Sequence, residues 1–172
     1  MWVARLRDIS DWWKEKGEYN IQIDRENGKY YLSIDPPKRA TLLERGLHSG
    51  QFSEDWDGRY QRYLKNQINI TSDRLPIIGI SRGLSEWVQN SLDGMGYISI
   101  GLDDWEDCTI KITAETINHW DNPVKLIAGI EGLNVPLVRF WPWPDGYRSA
   151  ICLSGDLDAL SLMDYATRLI PM

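Results

Sequence analysis

Two carboxylates near the carboxyl end of the chain, Asp156 and Asp158, have the types and spacing that could do chemistry. They lie in Ser154-Gly155-Asp156-Leu157-Asp158-Ala159, just after the apolar run 148–154, which reads as a strand. Alternate residues of an extended chain point the same way, so both acids can aim at one site at a strand's carboxyl end, where ligands of α/β sheets gather. One could hold a divalent metal while the other takes a proton from water. The competing reading is that Asp158 caps the next helix, which carries Leu160, Met163, Tyr165 and Leu169, or that both acids are solvated.

A second set of candidates is aromatic. The chain holds nine tryptophans against two phenylalanines. An indole face matches the C–H face of a sugar ring, although it also fills cores. Trp141 and Trp143 stand out within Trp141-Pro-Trp-Pro-Asp-Gly146, where the prolines favour extended chain and present alternate side chains to opposite faces. They are the candidates for stacking on a glycan, against the alternative that they pack the linker onto the domain.

Other constellations fall short. The two histidines, His48 and His119, are 71 residues apart, and Cys108 and Cys152 form no CxxC pair, so neither a zinc site nor a disulfide framework is written locally. Asp55-Trp-Asp57-Gly58 lacks the third ligand and the closing Glu of a calcium loop. The acidic cluster 103–107 reads as a solvated turn. No GxGxxG is present.

The elements that would position these residues suit one mixed domain. The chain has 172 residues, 42% of them apolar, and a formal net charge of -6. That length supports one sizeable core. An acidic chain with no basic run lacks the footprint needed for nucleic acid or anionic lipid. It also contains no apolar stretch long enough to span a bilayer, and no signal peptide is legible at its start. Residues 2–16 read as an amphipathic helix with Trp2, Leu6, Ile9 and Trp13 on its apolar face, ended by Gly17. Residues 19–24 and 29–34 flank Asn27-Gly28 and predict a β-hairpin.

Residues 39–44 offer a further strand, and 46–58 read as loop. From 75 to 101 the pattern is strand, helix, strand, with Leu84, Val88, Leu92 and Met95 on one helical face. Apolar stretches at 108–113, 124–130 and 135–140 follow, around a short helix at 114–120. The expected class is α/β or α+β, a mixed sheet with flanking helices. The prolines near residue 145 suggest a boundary between an accessory domain at 1–145 and a second unit at 146–172.

The stretch 136–169, from Pro136-Leu-Val-Arg-Phe-Trp through Ser154-Gly155-Asp156-Leu157-Asp158-Ala159, resembles the opening of a polysaccharide deacetylase (NodB-type) domain. In that family the first strand of an irregular barrel ends in Thr-Phe-Asp-Asp or Asp-x-Asp-Ala. The resemblance implies metal-dependent deacetylation of N-acetyl sugars in a polysaccharide or amino-sugar polymer, with Asp156 as general base and Asp158 as a ligand of the metal, usually zinc. Ser154-Gly155 departs from Thr-Phe, and the family's His-x-x-x-His pair has no counterpart here. Residues 147–172 therefore read as the first strand and helix of an incomplete barrel, inactive and without bound zinc by itself.

More weakly, Trp2-Val-Ala-Arg-Leu-Arg-Asp-Ile-Ser-Asp-Trp-Trp13 is similar to the closing helix of such domains. The alternative function is a non-catalytic module binding carbohydrate or protein through exposed tryptophans. A strand at 149–154 unpaired on one side would also invite self-association.

Overall fold

Asn27 and Gly28 both adopt positive φ, which lets the chain reverse tightly between two long strands. The computed structural model describes residues 1–47, 53–65, 68–102 and 107–152. In chain order these residues form β1 (Trp2–Ala4), α1 (Leu6–Lys16), β2 (Asn20–Glu26), β3 (Lys29–Asp35), β4 (Leu42–Arg45) and β5 (Ser53–Asp55). Then come β6 (Gln61–Tyr63), β7 (Ile68–Ser72), β8 (Leu75–Ile80), α2 (Glu86–Met95), β9 (Ser99–Gly101) and β10 (Cys108–Ile112). The last are α3 (Ala114–His119), α4 (Pro123–Gly132), β11 (Leu137–Phe140), a single 3-10 turn at Pro144–Gly146, and β12 (Ala150–Cys152).

The fold is mixed α+β, with no closed barrel among the described residues. The hairpin extends to an antiparallel sheet in the order β2-β3-β7, and β11-β4-β6-β5 form a second antiparallel sheet. β8 is the centre of a parallel sheet, β10-β8-β9, so the strand-helix-strand expectation for 75–101 is realised as a βαβ unit. Both faces of β8 are buried, as a central parallel strand requires. Leu75 and Ile77 pack with Tyr30, Leu32 and Phe140, whereas Ile78 faces Val88, Leu92, Leu126 and Ile130 of α2 and α4.

Several local expectations are corrected. The first helix begins at Leu6, because Trp2–Ala4 is drawn into parallel pairing with Ala150–Cys152, in the register Val3 to Ile151. Its buried face is Trp12 and Lys16, while Leu6 is 66% and Trp13 43% exposed. Within 46–58, read as loop, Ser53–Asp55 pairs with β6. The apolar stretch at 124–130 lies in α4, started by Pro123 in its first turn and by Asn122, whose side chain accepts from the Lys125 amide at 3.0 Å. Of the acids in 55–57, Asp55 Oδ1 accepts from the Gly58 amide, and Asp57 Oδ1 from the amides of Arg59 and Tyr60. They build a turn.

One carboxylate ties the sheets to the helices. Glu131, at the end of α4, accepts from the hydroxyls of Tyr60, at 2.9 Å, and Tyr97. It also meets Arg139 of β11 at 3.1 Å and Arg45 of β4 at 3.2 Å. Both arginine side chains are only 6% exposed, so this ion cluster is largely out of water.

Candidate functional site

The proline-rich segment after β11 cannot extend the sheet, because prolines lack amide donors. It is fastened instead by its other backbone groups. The Trp141 amide donates to Thr41 O at 2.8 Å, the Asp145 amide to Arg39 O at 2.7 Å, and the Trp12 indole to Pro142 O at 2.8 Å. Arg39 then reaches the Asp145 carboxylate at 2.9 Å. Trp141 rests edge-on against Trp56 with centroids 5.4 Å apart, and its indole donates to Tyr147 O at 2.7 Å. Trp143 lies 6.5 Å from Trp2.

Both expected stacking residues are thus half-buried and held by the domain, and both also line one open trough. The trough, about 910 Å³, is walled by Trp13, Met95, Val124, Ile127, Trp141 and Trp143, with Asn90 and Arg148 at its polar margins. Trp13 also borders a smaller pocket of about 400 Å³ that carries Lys16, Tyr19, Asn90 and Asp93. Apolar aromatic faces beside an amide, a carboxylate acceptor and the Arg148 cation suit a ligand that stacks through a C–H face and bonds through hydroxyls, as a sugar does.

The sequence reading missed Trp13 as a site residue. A signal was present in the Trp12-Trp13 pair, since neighbours on a helix diverge by about 100° and only one can enter the core. No signal marks Lys16, Asn90 or Asp93, which are brought together by packing between α1 and α2.

Lys16 Nζ donates to Gly94 O at 3.2 Å, near the end of α2, and lies 4.4 Å from the Trp13 ring centroid. Burial pushes its ammonium down from 10.5 to about 8. Between those values the native state binds fewer protons than the unfolded chain, so Lys16 makes stability rise with pH. Opposing it, burial pushes the Cys108 thiol up from 9.0 to about 11 and the Tyr60 phenol up from 10.0 to about 12. The stability that these neutral groups contribute is complete below their unfolded values and lost as pH climbs through the native ones. Between pH 8 and 10.5 the wild-type unfolding free energy is therefore expected to gain on that of Lys16→Met. Denaturant titrations read the difference, and a difference independent of pH shows that Lys16 is solvated.

Asp156 and Asp158 lie outside the described residues, as do His48 and residues 103–106. The strand that leads to the two acids is described as far as Cys152, beside Ala4 of β1. Zinc does not fit the described part of the chain. Among the described residues no three His, Cys, Asp or Glu side chains cluster. His119 is exposed, its Nδ1 3.2 Å from Glu115 O, and both cysteines are free thiols, Cys108 buried. No helix among the described residues is long and apolar enough to cross a membrane. Compared with protein-family models, curated proteins and solved structures, the chain matches none.

Proposed function

We propose that the chain serves a carbohydrate deacetylase as an accessory domain, holding an N-acetylated sugar polymer in the Trp13, Trp141 and Trp143 trough. What carries the reading is the parallel pairing of β1 with β12. The two segments that separately resemble deacetylase sequence, 2–13 and 136–169, contribute neighbouring strands to one sheet. Parallel strands belong to α/β units, whose ligands gather at the strands' carboxyl ends. Asp156 and Asp158 follow that end of β12 by a few residues, in the roles of general base and metal ligand. With two carboxylates and no histidine pair, the chain holds zinc weakly and is inactive alone.

Titrating tryptophan emission with N-acetylglucosamine oligomers tests the reading. A saturable change is expected, weakened about tenfold by Trp13→Ala, the loss of one stacking face. Silence with chitin, peptidoglycan and cellulose fragments overturns it. An equal response to acetylated and unacetylated oligomers favours instead a plain carbohydrate-binding module, for which the trough itself speaks. Zinc-supplemented deacetylation assays are expected to show no turnover, and turnover abolished by Asp156→Asn would contradict the inactivity.

A further inference from the structure

Among the described residues, Arg148 is the one charged side chain that lines the trough, and it forms no ion pair with any of them. The backbone is held on both sides of it. Tyr147 O accepts from the Trp141 indole at 2.7 Å, and Ser149 O from the Trp2 amide at 2.7 Å. The Arg148 guanidinium carbon stands 3.3 Å from the centroid of the Trp56 ring, a distance that only a flat stack allows. Trp56 is itself 6% exposed and packs with Leu43, Tyr60 and Trp141, so the platform belongs to the core. A guanidinium stacked in this way spends its face on the ring, while its N–H donors point outward in the plane of the fork.

The other charges nearby are engaged. Arg62, 6.0 Å from the same ring, meets Glu54 at 3.5 Å. In the adjoining pocket Lys16 donates to Gly94 O, and Asp93 accepts from Gln89 at 2.7 Å. A neutral sugar in the trough would leave the Arg148 fork to water. One planar fork matches one carboxylate, whose two oxygens accept two parallel N–H bonds. We propose that the trough selects a glycan bearing a carboxylate, with Arg148 pairing the charge while the indoles hold the ring. The inference rests on the carbohydrate reading and adds the ligand's charge to it. A uronic acid and a lactyl ether on an amino sugar both present such a group.

Equilibrium dialysis of the full chain tests it with two acidic probes, each also as its methyl ester. One is the hyaluronan tetrasaccharide, which alternates N-acetylglucosamine with glucuronate, and the other is the disaccharide of N-acetylglucosamine and N-acetylmuramic acid. At least one acid is expected to bind about tenfold more tightly than its own ester, and which one it is names the source of the carboxylate. Arg148→Met is expected to bring that acid and its ester within about twofold of each other. Arg148→Lys, which keeps the charge but not the fork, should leave about a threefold preference. Acids and esters that bind alike, or a preference that survives Arg148→Met, would overturn the proposal and leave the carbohydrate reading standing. Binding of no sugar would overturn both. Octanoate held more tightly than either acidic sugar would assign the trough to an apolar acid and overturn the proposal as well.

Discussion

Replacing Glu131 by Gln is expected to cost about 3–5 kcal/mol of folding stability, the usual loss when one partner of a buried ion cluster is removed. Glutamine keeps the shape but not the charge, so Arg45 and Arg139 lose the carboxylate they share and keep carbonyl partners and, for Arg139, the Tyr97 hydroxyl. Arg45 Nε donates to Val135 O at 3.2 Å, and Arg139 Nη2 to Met95 O at 2.7 Å. Carbonyl dipoles do not replace the lost carboxylate. Urea denaturation of both proteins reads the difference, and a loss below about 1 kcal/mol would mean that the arginines are hydrated or can rearrange.

The same group sets part of the acid limb. Burial pushes the Glu131 carboxyl up, but the hydroxyls of Tyr97 and Tyr60 and the guanidiniums of Arg139 and Arg45 outweigh it and hold the carboxyl below its ordinary 4.5. A carboxylate depressed in the native state contributes stability that is complete above the unfolded value and fades as pH falls through the native one. That contribution should vanish from the pH profile of Glu131→Gln.

Gly96→Ala is the second large effect, expected at about 3 kcal/mol. Gly96 closes α2 with φ at 80°, a conformation that costs a residue with a Cβ about 1–2 kcal/mol by itself. Its Cβ would also stand 2.3 Å from Phe140 O, backbone that cannot move without disturbing β11. The close approach is made by the Phe140 amide donating to Gly96 O at 2.7 Å. Gly83→Ala separates the two causes, because Gly83 has φ at 79° with nothing within 4 Å of its would-be Cβ. It should lose only the conformational part. Equal losses at the two positions would show that the approach to Phe140 is slack.

The hairpin was legible because Asn27-Gly28 acts locally, between strands whose alternation needs no distant partner. The βαβ unit at 75–101 was legible for a similar reason, since the buried run at β8 and the 3.6-residue pattern of α2 follow one another in the chain. Periodicity failed on α1. It counted Leu6, Ile9 and Trp13 as the inner face, but the Trp12 indole found Pro142 O and turned the helix the other way. Trp141 and Trp143 were marked by their proline setting, while Trp13, Lys16, Asn90 and Asp93 joined them only through packing.

By itself the sequence determined a mixed helix and sheet composition, the hairpin turn, the central buried strand, and the chain's acidic balance. All of these depend on neighbouring residues or on sums over the chain. Tertiary structure alone decided that Trp2–Ala4 pairs with Ala150–Cys152, that Glu131 gathers Arg45, Arg139, Tyr60 and Tyr97, and which side of α1 stays outside. Those contacts join residues far apart in the chain. Their partners are chosen by what remains to be buried or paired once the local elements have formed, and no pattern within a window of sequence records that choice.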